Sequence, residues 1–107
     1  MFAPQQPDLT NVLDRMWLQF RPQMEARLIT LEGAATALMA NTLSLEHCSA
    51  AASAAHNLAG VLGTFGLAPG TDLARQLEQH YSASLTPTSA PHLEALTAEL
   101  RSLIANR

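Results

Sequence analysis

The chain has no lysine and only one cysteine, and its formal net charge is -3. Because its six Lys/Arg positions are all arginines, a broad basic surface for nucleic acid is not expected. Cys48 alone cannot form an internal disulfide, which is compatible with a reducing compartment. No apolar run approaches the roughly 20 residues that a membrane-spanning helix needs, and residues 1–7 do not resemble a signal peptide. We therefore expect a cytoplasmic protein whose partners include neither nucleic acid nor a membrane.

Strand signals are also missing. Valine and isoleucine are scarce, and no segment alternates apolar and polar residues with a period of two. Apolar residues instead recur three and four positions apart in four segments, which is typical of amphipathic helices. The chain of 107 residues is 48% hydrophobic, enough for one compact core. The sequence predicts an all-α fold, an antiparallel up-down four-helix bundle over residues 8–107, preceded by a flexible tail over residues 1–7.

Capping and breaking residues locate the helix ends. Apolar positions before and after Pro22 stay in phase, which favours one kinked helix over two separate helices. Ser44 is expected to cap the second helix, and Gly66 to end it. Thr71 and Ser89 are expected to cap the third and fourth helices.

His56 lies on the polar side of the second helix. At about 100° per residue, His56 is about 160° from Leu58 and faces away from the apolar stripe. That stripe consists of Ala51, Ala55, Leu58, Leu62 and Phe65. The residues around His56 are small, and Gly60 and Gly63 each cost about 1 kcal/mol relative to alanine inside a helix. An exposed imidazole beside two such glycines indicates that another molecule approaches the ring closely.

The segment around His56 resembles the signature of the histidine-containing phosphotransfer (HPt) domain. That signature is His-x-Leu-Lys-Gly, with a second glycine ten residues after the histidine. This chain reads His56-Asn57-Leu58-Ala59-Gly60 and then Gly66. The histidine, the leucine and both glycines match, whereas Ala59 replaces the lysine. The flanking helices resemble those of the family over almost the whole chain.

The resemblance implies a phosphorelay protein that accepts a phosphoryl group on Nε2 of His56 from a receiver-domain aspartate and passes it to another. Its partners would be response-regulator receiver domains, a hybrid histidine kinase, or both. The receiver would supply Mg²⁺, so the chain itself is expected to need no cofactor and no metal. It would be a phosphoryl carrier and not an ATP-using kinase, and no Gly-rich nucleotide-binding motif is found.

The resemblance also implies roles for the surroundings of His56. Nδ1 would face an acceptor, which the sequence does not identify, and Gly66 would let neighbouring helices pack closely. The docking face for the partner is expected to comprise Ser49, Ala52, Ser53, Ala59, Gly60, Gly63 and Thr64. The family's lysine offsets the phosphoryl charge, which Ala59 cannot do. Such a contact near the surface is worth about 1 kcal/mol or less. Arg75 could supply the charge if it lay close to His56.

Two alternatives stay open. One is a pseudo-HPt module that docks a receiver or kinase without phosphotransfer, which Ala59 favours. The other is a helical dimerisation domain whose small-residue face is a subunit seam. A monomer is expected, and a dimer is left open.

The remaining polar residues have simpler explanations. His47, His80 and His92 are expected to be structural or solvent-facing. His47 and Cys48 diverge by about 100° on a helix and make a poor metal pair. Cys48 is expected to be a buried thiol. Four acidic residues are expected to form a solvated helical surface: Glu25, Glu32, Glu94 and Glu99.

Overall fold

The computed structural model describes residues 9–107 and contains four helices. These are α1 (Leu9–Met39), α2 (Leu45–Thr64), α3 (Ala68–Tyr81) and α4 (Ala90–Ala105), with a 3-10 turn at Pro87–Ser89 before α4. No strand occurs within residues 9–107. The all-α prediction is confirmed, whereas the predicted tail over residues 1–7 lies outside the described residues.

The helices form a ring in which each contacts its neighbours in chain order and α4 closes back on α1. Later residues of one helix pair with earlier residues of the next, as in an antiparallel hairpin. His56 of α2 lies opposite Glu78 of α3, and Ala59 lies opposite Thr71. Arg101 of α4 likewise reaches back to Glu32 of α1. This antiparallel arrangement confirms the predicted up-down bundle.

Pro22 lies inside α1, which continues through it as one helix. A proline in a helix interior removes a hydrogen bond and costs about 3 kcal/mol or more. Beyond Pro22, Met24, Leu28 and Leu31 are almost completely buried. Because burying each such side chain contributes roughly 1.5–3 kcal/mol, core packing outweighs the proline penalty. The predicted continuation through Pro22 is confirmed.

The two ends of α2 follow the local signals. The Ser44 hydroxyl accepts a hydrogen bond from the His47 backbone N–H at 3.0 Å. Gly66 follows the helix with a φ of 72°, which a residue with a Cβ rarely adopts. A Cβ on Gly66 would meet nothing within 4 Å, so the close-packing role implied for it is wrong. Close packing occurs at Gly70, where a Cβ would lie 3.0 Å from Leu62 Cδ1.

The predicted caps of α3 and α4 need correction. Helix α3 begins at Ala68, with Pro69 in its first turn, where a missing N–H costs nothing. Thr71 therefore lies inside the helix, and its buried hydroxyl donates to the Ala59 carbonyl at 3.4 Å. Ser89 directly precedes α4 as expected, but its side chain makes no capping hydrogen bond.

Charged side chains connect α1 to α4. The Arg101 guanidinium contacts Glu32 at 2.7 Å and Glu25 at 2.8 Å, and it holds the pKa of Glu25 below its usual range. Arg107 contacts Asp14 at 3.0 Å and lies 4.8 Å from the centre of the Trp17 ring. The expected solvated surface is confirmed for Glu25, which is exposed, and in part for Glu32, which is half-buried, but both also pair with an arginine of a distant helix.

Tyr81 packs into the core at the end of α3, and its hydroxyl is buried without a hydrogen-bond partner among the described residues. Burial, and to a lesser extent the Cys48 charge, raises the pKa of Tyr81 to about 12. An unsatisfied buried hydroxyl costs about 1–3 kcal/mol. The hydroxyl therefore destabilises the folded protein, even though the ring contributes to the core.

Tyr81→Phe is expected to raise the free energy of unfolding by about 1 kcal/mol at pH 8. The difference should grow by about a further 1 kcal/mol at pH 11. The unfolded phenol ionises from about pH 10, whereas the folded one stays neutral up to about pH 12, so wild-type stability falls between these values. Urea denaturation of both proteins at pH 8 and pH 11 measures this. Equal losses of stability in the wild type and in Tyr81→Phe between pH 8 and pH 11 would contradict this prediction.

Candidate functional site

His56 lies in the middle of α2 with 72% of its side chain exposed. The apolar stripe on the other side of the helix is buried, with Ala51, Ala55, Leu58 and Leu62 fully inaccessible. The predicted exposure of His56 is therefore confirmed. The imidazole lies at the border between α2 and α3, where both helices can contribute to its environment.

Glu78 of α3 holds the imidazole from one side. Its Oε2 lies 2.9 Å from Nδ1 of His56, and its side chain is 32% exposed. An ionised carboxylate can only accept hydrogen bonds, so Nδ1 carries the proton and donates it. The neutral ring then has its free electron pair on Nε2. The contact therefore selects the tautomer in which Nε2 is the nucleophilic nitrogen.

The sequence analysis expected an acceptor at Nδ1 and missed its identity. A signal was available in the register of the α2–α3 hairpin. His56 lies eight positions before the end of α2 and Glu78 ten positions after the start of α3, so the two residues are at similar distances from the turn between the helices. Antiparallel helices of equal rise bring such residues to the same level.

Two shallow recesses flank the imidazole. The first is lined by Ala52, Ser53, Asn57 and Glu78 together with His56. The second, which we call the α2–α3 recess, has a volume of about 300 Å³. It is lined by His56, Ala59, Gly60, Arg75, Glu78 and Gln79. Arg75, which the sequence could not position, is therefore a neighbour of the histidine.

The predicted docking face is mostly accessible. Five of its residues are exposed and Ala52 is half-buried, the exposed ones being Ser49, Ser53, Gly60, Gly63 and Thr64. Ala59 differs, since only 8% of it is exposed. It lies on the flank of α2 that α3 covers, and its carbonyl accepts the Thr71 hydrogen bond. Its predicted place on the open face is therefore wrong, and it lines the α2–α3 recess instead.

Gly60 leaves free space beside His56. A Cβ built on Gly60 would meet nothing within 4 Å, whereas one on Gly63 would lie 3.7 Å from Thr71 Oγ1. Packing within the chain therefore does not require a glycine at position 60. Because residue 60 has no side chain, nothing protrudes from the surface of α2 next to the imidazole.

Gly60→Ala is expected to stabilise the fold by about 1 kcal/mol and to slow, several-fold, the phosphoryl transfer from a partner that the resemblance to HPt domains implies. The added methyl group improves helix propensity but projects onto the surface that a partner must approach. Gly33→Ala is the matched control, because Gly33 is an exposed glycine of α1 whose Cβ would also meet nothing. Gly33→Ala should give the same gain in stability without slowing transfer. Equal transfer rates in both variants would contradict a steric role for Gly60.

The other histidines lie elsewhere. His47 is exposed near the start of α2, and the rings of His80 and His92 pack edge to face with centres 5.2 Å apart. Cys48 is half-buried, so its expected burial is only partial. Over residues 9–107, no three His, Cys, Asp or Glu side chains are grouped so that they could hold a metal ion.

In the described part of the chain, none of the helices has both the length and the apolar character needed to cross a bilayer.

Comparisons with known proteins match most of the chain. A family model described as "Hpt domain" matches residues 15–106, a range that contains His56, Arg75 and Glu78. Protein RcaC of Microchaete diplosiphon is 33% identical over 91 residues, which cover 83% of this chain. The same alignment covers 14% of RcaC, so the chain is similar to a small part of that protein. No solved structure matches at a significant level.

Proposed function

Because the chain belongs to the Hpt domain family, we propose that it is a phosphorelay carrier whose phosphoryl group resides on His56. The observation that carries this proposal is the contact of Nδ1 with Glu78, which leaves Nε2 as the nucleophile on an exposed ring. A carrier needs a presented nucleophile and an accessible surface around it, and both occur together here.

Transfer begins with the electron pair on Nε2, which attacks the phosphorus of an aspartyl phosphate on a receiver domain. The N–P bond forms as the P–O bond to the aspartate breaks, and the aspartate carboxylate leaves with that electron pair. No proton has to leave His56, because the proton stays on Nδ1. The ring becomes cationic in this step, and the Glu78 carboxylate stabilises the new charge. The reverse reaction returns the phosphoryl group to a receiver.

The partner would be a response-regulator receiver domain, alone or within a hybrid histidine kinase. The exposed residues of the docking face are small, so a receiver could bring its own aspartate, Mg²⁺ and catalytic groups close to Nε2. Such transfer depends mainly on positioning and on stabilisation of charge. A reaction between these partners would take place in the cytoplasm.

A pseudo-HPt module is the second candidate. The replacement of the family's lysine by Ala59 favours it, because the phosphoryl group then lacks a positive neighbour on α2. Such a module would bind a receiver through the docking face without accepting phosphate.

A phosphotransfer assay separates the two. The chain is incubated with Mg²⁺ and each phosphorylated receiver from the same genome, and acid-labile, base-stable phosphate is followed. Mass spectrometry then locates the modified residue. Transfer onto His56 supports the carrier. Binding without transfer from any receiver would support the pseudo-HPt module, and transfer onto a different residue would overturn the assignment of His56.

A further inference from the structure

The positive charges of this chain are distributed unevenly around the bundle. There is no lysine, α2 contains no arginine, and α3 contains only Arg75. Arg101 and Arg107 form ion pairs with acidic residues of α1. The remaining arginines precede residue 28 and lie on α1. Arg75 is therefore the one basic side chain, other than histidine, that the two helices of the functional site provide.

Arg75 lies in the same recess as the reacting imidazole. It precedes Glu78 by three residues on α3, so the two side chains are on one face of the helix. Both line the α2–α3 recess together with His56, and Ala59 and Gly60 leave that recess open. Arg75 is exposed and forms no ion pair within residues 9–107, so its guanidinium is available to a new anion.

Phosphorylation creates a need for such a cation. A phosphoryl group on Nε2 carries about two negative charges at neutral pH, and the Glu78 carboxylate already neutralises the positive charge that the ring gains. An arginine offers several N–H donors in a planar fork that matches phosphate oxygens. Its long side chain can extend across the recess from α3. In the family, the lysine at the position of Ala59 would provide this charge from α2.

We propose that Arg75 binds the phosphoryl group on His56 and supplies from α3 the positive charge that Ala59 lacks. This inference rests on the proposed function for its biological meaning, but its chemistry concerns the phosphorylated histidine alone. It gives this chain a different origin for the charge, with the nucleophile on one helix and the cation on the next.

The test uses phosphoramidate, which phosphorylates histidine without a receiver: the N–P bond to Nε2 forms as the P–N bond of the reagent breaks and ammonia leaves. The wild type, Arg75→Gln and Arg75→Lys are compared with Arg15→Gln, which removes an exposed arginine of α1. We measure the half-life of phosphohistidine at residue 56 and the ³¹P chemical shift of its phosphoryl group.

Arg75→Gln is expected to shorten the half-life about three- to tenfold and to move the ³¹P signal, because a near-surface charge contact contributes modestly after screening. Arg75→Lys should restore most of the half-life, and Arg15→Gln should match the wild type. An unchanged half-life and signal in Arg75→Gln would overturn the proposal, as would failure of phosphoramidate to modify His56. An Arg75 effect without transfer from any receiver would retain this inference and reject the relay function.

Discussion

Replacing His56 with glutamine is expected to abolish uptake of acid-labile phosphate while the bundle stays folded. Glutamine has no nucleophilic nitrogen, so the N–P bond cannot form. The side chain is 72% exposed, and surface substitutions of this kind usually change stability by no more than about 0.5 kcal/mol. Circular dichroism and thermal unfolding check the fold, and incubation with a phosphorylated receiver checks uptake.

The matched control is His47→Gln. His47 is an exposed histidine of the same helix, near its beginning, and its side chain has no part in the site. This variant should accept phosphate at the wild-type rate. Labelling of His56→Gln at His47, His80 or His92 would show that the nucleophile is another histidine.

Glu78→Ala is expected to slow phosphoryl transfer about tenfold or more. A charge-assisted hydrogen bond contributes about 1.5–3 kcal/mol, which corresponds to roughly 10- to 150-fold in rate. His56 is largely exposed and solvent screens the contact, so the lower end of that range applies. Without the carboxylate the ring can rotate and carry its proton on Nε2, where it blocks attack. Glu78→Gln should be less severe, because its amide oxygen can still accept from Nδ1.

Two measurements distinguish this positioning role from a general structural one. Nitrogen NMR of the imidazole should report a proton on Nδ1 in the wild type and a mixture of tautomers in Glu78→Ala. Receiver affinity should change little while the transfer rate falls. Glu99→Gln serves as the control, since Glu99 is an exposed acid of α4 without an ion pair in residues 9–107. A wild-type rate in Glu78→Ala would reject the role.

The predictable features of this protein are those that depend on local rules. The face of α2 that carries His56 follows from the angular spacing of helical residues, and Ser44 and Gly66 act within a few residues of themselves. The four-helix pattern likewise reflects periodicity within each segment. Thr71 shows the limit, because a threonine can cap a helix or bond across an interface. Its burial between α2 and α3 decided the outcome.

The features that escaped prediction require knowledge of two helices at once. Periodicity in α2 shows which side is apolar but not which flank α3 covers, so the burial of Ala59 was missed. The same applies to Glu78 at His56. Glu25 and Glu32 look solvated in sequence because their partner, Arg101, follows them by 76 and 69 residues. Register and packing between helices, rather than composition, determine these contacts.

The contact between His56 and Glu78 depends on the number of residues that separate each of them from the turn between α2 and α3. His56 lies eight positions before the end of α2 and Glu78 ten positions after the start of α3, which are about 12 Å and 15 Å along the two helices. One residue added within α3, between Ala68 and Glu78, would rotate the rest of that helix by about 100° and carry the carboxylate away from the imidazole. The number of residues between the start of α3 and Glu78 is therefore a constraint on the site, even where those residues lie far from the imidazole. The site should tolerate substitutions in the first turns of α3 more readily than insertions or deletions there.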